Sequence, residues 1–481
     1  MIKCPSCGAE LSFSVDNQQV TCEYCRSTFD PKTLDSKVKK AEEQTYEGKS
    51  YLCSQCGAEL LTFDETAITF CSYCGSQAMI ESKMIKHNNP DFIIPFKKTK
   101  EECINAYKKK VSGSLFAPKH MKSDIVVNKF RGIYIPYCIY KLSFKGVSFH
   151  KGSKYKCRIG DYVYYNDYKI TADVDAEYDG VSFDLISEFS DKFSQSIPHN
   201  FKEAEKFNAN YLAGFYADAV DVDNVLYERV AKSIAGNDSV GQMLKRKEYI
   251  RHGCKMPKIN FVVEEKKVGM FPVYFLAIRD KKGESVNYAV VNGQTGKIVA
   301  DLPVDFKKYI IISILLAIPI FLLINNLLLI LPHHICLISV LFAFIGMIIS
   351  IYHSNKIYER ENHFDDIGYL DEKQDGNIDY VIQTKKTDDY ETNISVVVNN
   401  PKIKLPKKNT FKYIYKSLLG IILGISALVS KFVYDVYYYG AALIIFILVI
   451  WTFIDLIKYH NILVSTKLPQ LNKRGGDENE K

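Results

Sequence analysis

The hydrophobic residues of this 481-residue chain are concentrated towards its C-terminal end, where charged side chains become rare. Four apolar runs follow one another there, at residues 309–331, 335–352, 413–433 and 439–457. Each run is close to the length, about 20 residues, that lets a helix cross the hydrocarbon core of a bilayer. The pattern therefore predicts four transmembrane helices arranged as two hairpins, at residues 309–352 and 413–457.

Shorter alternations of apolar and polar residues characterise residues 91–305. A capping box formed by Thr99 and Glu102 predicts the start of a helix, because each side chain can accept a hydrogen bond from a free backbone amide. The predicted elements are helices at 99–111, 202–215 and 222–235, and strands within 130–184, 258–263, 273–279 and 288–299. This pattern indicates a soluble α+β domain that leads directly into the first transmembrane helix.

Positive charge lies on one side of the predicted helices. Lys307 and Lys308 precede the first apolar run and Lys356 follows the second, whereas the hairpin turns carry almost no Lys or Arg. Lys and Arg are enriched in cytoplasmic loops. We therefore expect a multi-pass protein of the cell membrane with a cytoplasmic N-terminal region, and with the loop 353–410 and the polar tail 458–481 also in the cytoplasm.

Few polar residues interrupt the predicted transmembrane helices. Lys416 and Lys431 lie near the ends of the third run, where their amines are expected to reach the headgroups. Gly420 and Gly424 have the spacing of a helix-packing motif, although one such pair also occurs by chance. No row of ionisable residues crosses the bilayer, which argues against a transporter or channel.

Two cysteine quartets with identical spacing open the chain. In each quartet a Cys-x2-Cys pair is followed, after fourteen residues, by a second such pair. The quartets are Cys4, Cys7, Cys22 and Cys25, and Cys53, Cys56, Cys71 and Cys74. Two such pairs complete the tetrahedral site of four thiolates that Zn2+ prefers, with no position left for a substrate. The spacing predicts two structural Zn2+ ions in two zinc ribbons, at residues 1–30 and 51–82, joined by a charged linker at 31–50.

Disulfide bonds are the alternative interpretation of eight cysteines in a short segment. Residues 1–30 contain no apolar run or cleavage site that would indicate a secretory signal. The other five cysteines, Cys103, Cys138, Cys157, Cys254 and Cys336, are scattered without a pairing pattern. That distribution favours thiols and metal binding in a reducing cytosol.

The formal net charge of +7 hides a division between two regions. Residues 1–90 carry nine Lys/Arg against twelve Asp/Glu, and each four-thiolate zinc centre would add two further negative charges. Residues 91–308 carry 36 Lys/Arg against 27 Asp/Glu. Because nucleic-acid binding depends on cations that neutralise phosphate, nucleic acid is an unfavourable partner for the ribbons. The basic domain suits the anionic surface of the lipid bilayer.

No catalytic motif is complete in the sequence. Gly236 and Gly241 have the spacing of a phosphate-binding loop, but Gln242 and Met243 follow where lysine and a hydroxyl residue are required. The acidic residues of 173–179 alternate as on the solvent face of a strand and lack the order of a calcium loop. We therefore expect no enzymatic activity, and no small-molecule substrate is evident.

Short motifs accompany the ribbons in a characteristic order: Ile94-Pro95-Phe96, Leu115-Phe116-Ala117-Pro118, Gly132-Ile133-Tyr134-Ile135-Pro136-Tyr137 and Asn210-Tyr211-Leu212-Ala213-Gly214-Phe215. Over roughly residues 1–350 the chain resembles the bacterial TFIIB-type zinc-ribbon membrane proteins of low-GC Gram-positive organisms. The family usually has tryptophan where this chain has Cys138. It often has a single membrane hairpin, so the resemblance leaves the second hairpin unexplained.

The resemblance implies a role rather than a reaction. Members of the family are often labelled primosomal replication-restart helicases, a label that a chain without a nucleotide-binding loop does not fit. Some relatives are thought to be membrane anchors in envelope-stress systems that recruit phage-shock-type coat proteins or flotillin-like SPFH proteins. We therefore expect a non-enzymatic membrane adaptor whose ribbons recruit cytosolic or peripheral membrane proteins. The alternative is a membrane-tethered nucleic-acid-binding protein that uses the basic middle domain.

Overall fold

The computed structural model describes residues 3–34, 45–63, 70–77, 79–187, 189–243, 259–280, 285–327, 331–361, 380–386, 392–398, 409–430 and 434–467. Three predicted segments lie partly outside these residues, namely the linker 31–50, the loop 353–410 and the tail 458–481. Within the described residues the chain combines two tetracysteine groups, a mixed sheet and four long apolar helices. The coarse architecture predicted from the sequence is therefore confirmed.

The first cysteine group belongs to a small antiparallel sheet of its own. Its strands are β1 (Leu11–Ser14), β2 (Gln19–Cys22) and β3 (Thr28–Phe29). Val20 of the central strand pairs with Phe13 on one side and Phe29 on the other, and it is completely buried. We call residues 3–34 the first ribbon.

The second cysteine group is built into the large sheet of the middle domain. Its strands are β4 (Thr45–Cys53), β5 (Glu59–Thr62) and β6 (Met79–Asn88), with β4 in the centre. The predicted boundaries at residues 51 and 82 fall inside β4 and β6. We call residues 45–88 the second ribbon.

The middle domain continues with a long antiparallel pair of strands. The elements are β7 (Phe92–Ile93), α1 (Lys100–Gly113), α2 (Asp124–Val127), β8 (Arg131–Ile159) and β9 (Tyr162–Asp184). The capping box at the start of α1 is confirmed, because the Thr99 hydroxyl accepts from the Glu102 amide and the Glu102 carboxylate accepts from the Thr99 amide. The strands predicted within 130–184 are thus one hairpin of unusual length.

The helix predicted at 202–215 is wrong. This segment forms two short 3-10 turns, Phe201–Glu203 and Ala209–Leu212, on either side of a two-residue strand. The side chains of Asn200 and Asn208 each accept a hydrogen bond from the amide two residues ahead, which favours a turn over a helix.

The remaining soluble elements complete the sheet, and the predicted helix at 222–235 is confirmed within α4. They are α3 (Asp191–Ser196), β10 (Glu205–Lys206), β11 (Tyr216–Asp218), α4 (Asn224–Met243), β12 (Val262–Arg279), β13 (Ser285–Asn292) and β14 (Ile298–Ala300). The strand order is β10-β7-β12-β8-β11-β5-β4-β6, with β9 on β8, β13 on β12 and β14 on β13. Strand β5 pairs with β11, and this pairing makes the second ribbon continuous with the domain.

Three of the four motifs that carry the family resemblance contribute to the aromatic core of the domain. The rings of Phe96 and Phe215 stack with centroids 4.2 Å apart, and the Tyr134 ring lies edge-on at 4.9 Å from Phe96. Gly132 leaves room for this cluster, since a Cβ atom there would lie 2.6 Å from the Phe215 ring. These motifs therefore have a packing role.

Among the described residues, four helices are long and apolar enough to span a membrane, as the hydrophobic pattern predicted. They are α5 (Phe306–Leu327), α6 (Pro332–Glu361), α7 (Phe411–Val429) and α8 (Asp435–Leu463). A hairpin β15 (Tyr380–Lys386) and β16 (Thr392–Val398) lies between α6 and α7, and β17 (Thr466–Lys467) follows α8.

Three of the four apolar helices, α6, α7 and α8, pack against one another. No residue of the apolar segment Phe306–Ile324 of α5 is buried in the protein. Gly420 and Gly424 make the close approach that their spacing suggested. A Cβ on Gly420 would lie 3.6 Å from Ala343, and one on Gly424 would lie 2.1 Å from Val340. The small residues therefore bring α7 against α6.

Candidate metal centres

The first tetracysteine group brings Cys4, Cys7, Cys22 and Cys25 together. The Sγ atoms of Cys4 and Cys25 are 3.6 Å apart, and those of Cys7 and Cys22 are 3.5 Å apart. Each pair of cysteines is held by a tight turn in which the Gly8 amide donates to the Cys4 carbonyl and the Arg26 amide donates to the Cys22 carbonyl. Gly8 and Arg26 both have positive φ, so Arg26 adopts the left-handed conformation without the freedom of glycine.

The second group repeats this geometry with Cys53, Cys56, Cys71 and Cys74. Its Sγ atoms are separated by 3.6 Å in both the Cys53–Cys74 and the Cys56–Cys71 pairs. Gly57 and Gly75 supply the positive φ of its two turns. The internal repeat seen in the sequence is thus also a repeat in structure.

Both groups fit a metal ion bound by four thiolates. Within each group the four sulfur atoms lie within 4.8 Å of one another. Tetrahedral zinc with Zn–S bonds of about 2.3 Å requires sulfur atoms about 3.8 Å apart. Four cysteine ligands fill the coordination sphere, so a bound ion would cross-link the turns and would leave no position for a substrate.

The two groups differ in their exposure. Cys7 and Cys25 of the first group are exposed, whereas all four cysteines of the second are buried. The cause is the sheet that surrounds the second group. Tyr73, between Cys71 and Cys74, is fully buried with its ring 5.2 Å from that of Phe275 and its hydroxyl bonded to the Asp218 carboxylate.

Arg279, the last residue of β12, lies against the second group and forms hydrogen bonds with it. Its guanidinium donates to the Cys74 carbonyl at 2.6 Å, to the Gln55 side-chain oxygen at 2.7 Å and towards the Cys74 sulfur at 3.7 Å. Four thiolates around a divalent ion carry an excess of negative charge, which a nearby cation stabilises. No sequence pattern indicates this role, because more than 200 residues separate Arg279 from Cys74.

The sheet is fastened to the membrane helices next to this group. Arg279 pairs with Val286 of β13, and Val286 pairs with Thr466 of β17, directly after α8. Arg360 of α6 donates to the Leu463 carbonyl and, at 3.0 Å, to the Thr466 hydroxyl. The side chain of Asn461 exchanges two hydrogen bonds with the backbone of Val304.

An ion pair joins α7 to α8. The Lys416 amine binds the Asp455 carboxylate and lies 4.8 Å from the Trp451 ring centroid. Lys458 also pairs with Asp455, at 3.2 Å. Lys416 thus has a partner on the neighbouring helix. Sequence analysis missed Asp455, which lies within the fourth apolar run.

Buried titratable groups also lie within the middle domain. The His199 ring lies 4.6 Å from the Phe271 ring and 5.8 Å from the Tyr137 ring. Burial lowers the pKa of His199 to about 4, although its Nε2 atom, 3.4 Å from the Pro272 carbonyl, is partly stabilised in the protonated form. Burial also raises the pKa of Asp301, against the opposing effect of Lys192 at 3.0 Å.

The lowered pKa of His199 predicts a pH-dependent stability. In the unfolded chain the imidazole titrates near 6.5, so acid protonates the unfolded state first and stability falls as the pH decreases from about 6.5 towards 4. We expect a loss of roughly 1–3 kcal/mol, because each unit of pKa difference between the folded and unfolded states corresponds to about 1.4 kcal/mol. Thermal unfolding of the wild type and of His199→Gln across this range would measure it. A pH profile that the substitution leaves unchanged would contradict the assignment.

The fold and the sites define a class: a membrane protein with two N-terminal tetracysteine groups that could hold metal ions and a mixed-sheet domain next to four apolar helices. The chain is similar to the uncharacterized protein YdjG of Bacillus subtilis (strain 168), with 25% identity over 311 residues. The similarity covers 64% of this chain and 91% of that protein. No family model and no solved structure matches the chain.

Proposed function

We propose that the protein is a non-enzymatic membrane adaptor that holds the first ribbon at the cytoplasmic face of the membrane as a docking surface for other proteins. The observation that supports this role is the contrast between the two ribbons. All four cysteines of the second ribbon are buried, whereas the first ribbon exposes two of its cysteines and both of its metal-binding turns. The proposal includes two structural Zn2+ ions, one held by each tetracysteine group.

The first ribbon is mounted on the domain by several polar contacts. The Phe13 amide donates to the Ala213 carbonyl at 2.9 Å, and the Asn210 side chain donates to the Pro31 carbonyl at 3.0 Å. Lys32 pairs with Glu205 at 2.7 Å. A surface held in this way does not have to be ordered when a partner binds, which favours affinity.

The exposed turn of the first ribbon has the chemistry of a docking site. Tyr24 lies between Cys22 and Cys25 with 83% of its surface exposed, and Glu23 beside it is also exposed. Tyrosine is frequent among the residues that contribute most to protein interfaces. The ribbon carries three Lys/Arg against four Asp/Glu, and a four-thiolate zinc centre would make it more acidic. We propose a cytosolic or peripheral membrane protein with a basic, ring-accepting pocket as the partner.

The membrane helices supply the anchor in this proposal. The positive charges that flank the apolar helices support a cytoplasmic N-terminal region, loop and C-terminal tail. The contacts of Asn461 and Arg360 would then hold the sheet, and with it the first ribbon, close to the inner membrane surface. The resemblance adds phage-shock-type and flotillin-like proteins as partner classes to be examined.

A crosslinked pull-down from membranes tests the proposal with Tyr24→Ala and Glu23→Lys. We expect both substitutions to remove the same captured protein, because truncation of a central interface tyrosine typically weakens binding by about 2 kcal/mol or more. Ile125→Ala is the matched control, since Ile125 is 79% exposed but lies on α2 of the middle domain. Capture that is identical for all three variants and the wild type would refute docking on the first ribbon.

A further inference from the structure

The β8–β9 hairpin extends far beyond the sheet. Strand β8 pairs with β12 only between Arg131 and Ser143, and β9 pairs only with β8 in the described chain. Beyond Ser143 the two strands pair only with each other, over about 50 Å at about 3.3 Å per residue. Phe144 still packs on Phe261, and Ser148 and Ser153 are still buried, so the part that leaves the domain begins at Lys154. The two strands end in a two-residue turn at Gly160 and Asp161, where Gly160 has φ of 60°.

The outer part of this hairpin, residues 154–169, is here named the distal arm. All of its residues are exposed except the half-buried Cys157. A two-stranded hairpin is only marginally stable by itself, and a core cannot explain side chains that face solvent on both sides. The composition of the distal arm therefore has to be explained by what it contacts.

Tyrosines occupy both faces of the distal arm. Tyr155 and Tyr165 are direct partners across the strands and share one face, with ring centroids 6.3 Å apart. Tyr162, Tyr164 and Tyr168 alternate onto the other face of β9 and are 43–75% exposed. Tyr162 and Tyr164 are separated by about 7 Å along the strand. This separation of the two tyrosines is about twice the ~3.4 Å distance between successive bases along a nucleic-acid strand.

Cations are interleaved with these rings. Lys154, Lys156 and Arg158 lie on β8 and Lys169 on β9, against Asp161 and Asp167 as the acidic residues of the distal arm. Pairing places Lys154 opposite Asn166, on the face of Tyr164 and Tyr168. Each face thus combines planar rings with positive charge. Neutralisation of phosphate and stacking of bases are the two contributions that bind single-stranded nucleic acid.

Other partners fit the distal arm less well. Protein interfaces are enriched in tyrosine but depleted in lysine, and three of the four cations are lysines. A lipid surface would bury one face only, whereas the tyrosines occupy both faces. A second copy would bring together two surfaces of the same positive charge. Single-stranded nucleic acid can use the tyrosines on both faces, the lysines and the positive charge.

We propose that the distal arm binds single-stranded nucleic acid. Tyr162, Tyr164 and Tyr168 stack on bases, and Lys154, Lys156 and Arg158 contact phosphates. The biological role of this site rests on the cytoplasmic placement of the domain in the proposed function. Binding by the purified protein does not depend on that placement or on a partner of the first ribbon, so the two proposals can fail separately.

Fluorescence anisotropy of the full chain in detergent, with a labelled oligothymidylate of about 20 nucleotides, tests the site. We expect a slope of log affinity against log salt near −2, from three cations at about −0.7 each. Tyr164→Ala and Tyr168→Ala should each weaken binding about five- to a hundredfold. Tyr164→Phe keeps the ring and should retain affinity. Lys156→Ala should reduce the slope, whereas Lys267→Ala, on the sheet beside Glu265, should not.

Several results would overturn the proposal. Equal affinity for a duplex of the same length would exclude base stacking, and so would wild-type affinity in Tyr164→Ala. If polyglutamate of the same total charge displaced the oligonucleotide, the binding would be non-specific and electrostatic, without a contribution from the bases. Capture by anionic but not zwitterionic vesicles, lost on the same substitutions, would assign the distal arm to the membrane.

Discussion

Replacement of Cys71 by serine is expected to unfold the large sheet. Cys71 is one of the four buried cysteines of the second group, and its replacement would remove one of the four thiolates that could hold a metal ion there. A structural zinc centre contributes on the order of 10 kcal/mol in small peptides, which is comparable with the total stability of about 5–15 kcal/mol of a typical domain. Thermal unfolding and metal analysis of the purified protein would measure this effect.

The equivalent change in the first ribbon, Cys7→Ser, is the control for this prediction. Cys7 is exposed, and the first ribbon has its own small sheet. We expect the loss of one metal ion and new protease cleavage confined to the first 34 residues, with the main thermal transition preserved. Equal loss of the folded sheet in both variants would show that the two metal groups are not independent.

Substitution of Asp455 by alanine is expected to loosen the bundle of α6, α7 and α8. Asp455 and Lys416 form an ion pair whose side chains are only 16% and 15% exposed. Removal of one partner leaves the other charge uncompensated, which typically costs about 3–5 kcal/mol for a buried pair. Thermal unfolding in detergent, followed by loss of helical signal, would detect the change.

Two further variants separate the ion pair from general disruption. Lys458→Ala removes a cation that also contacts Asp455 but is 65% exposed, so a loss of less than about 1 kcal/mol is expected. Lys416→Met combined with Asp455→Leu removes both charges and should recover most of the stability lost in Asp455→Ala. A double variant as unstable as the single one would mean that the pair itself is not what joins α7 to α8.

Sequence analysis predicted the features that depend on local spacing. The two cysteine quartets, the capping box at Thr99 and the four apolar helices each follow from residues that are close in the chain. Their physical basis is a fixed geometry, namely the tight Cys-x2-Cys turn, the first turn of a helix and the thickness of a bilayer.

Features that depend on distant residues could not be predicted. Arg279 meets Cys74, and Tyr73 meets Asp218, only because β12 and β11 lie next to the second ribbon in the sheet. The error at residues 202–215 has a local cause, since asparagine turns replaced a helix that composition alone permits. The ion pair of Lys416 could not be predicted because its partner Asp455 lies on the next helix, within an otherwise apolar run.

The pairing of β13 with β17 imposes an order on the folding of the protein. The strands of the first ribbon pair only with one another within the described residues, so its sheet needs no later part of the chain. The second ribbon is hydrogen-bonded by Arg279, which is synthesised about 200 residues later. Ser285 and Val286 of β13 cannot pair with β17 until Thr466, which follows α8, has been synthesised. Long-range contacts of this kind form late. The sheet that begins at Thr45 is therefore completed only after the last helix has been inserted.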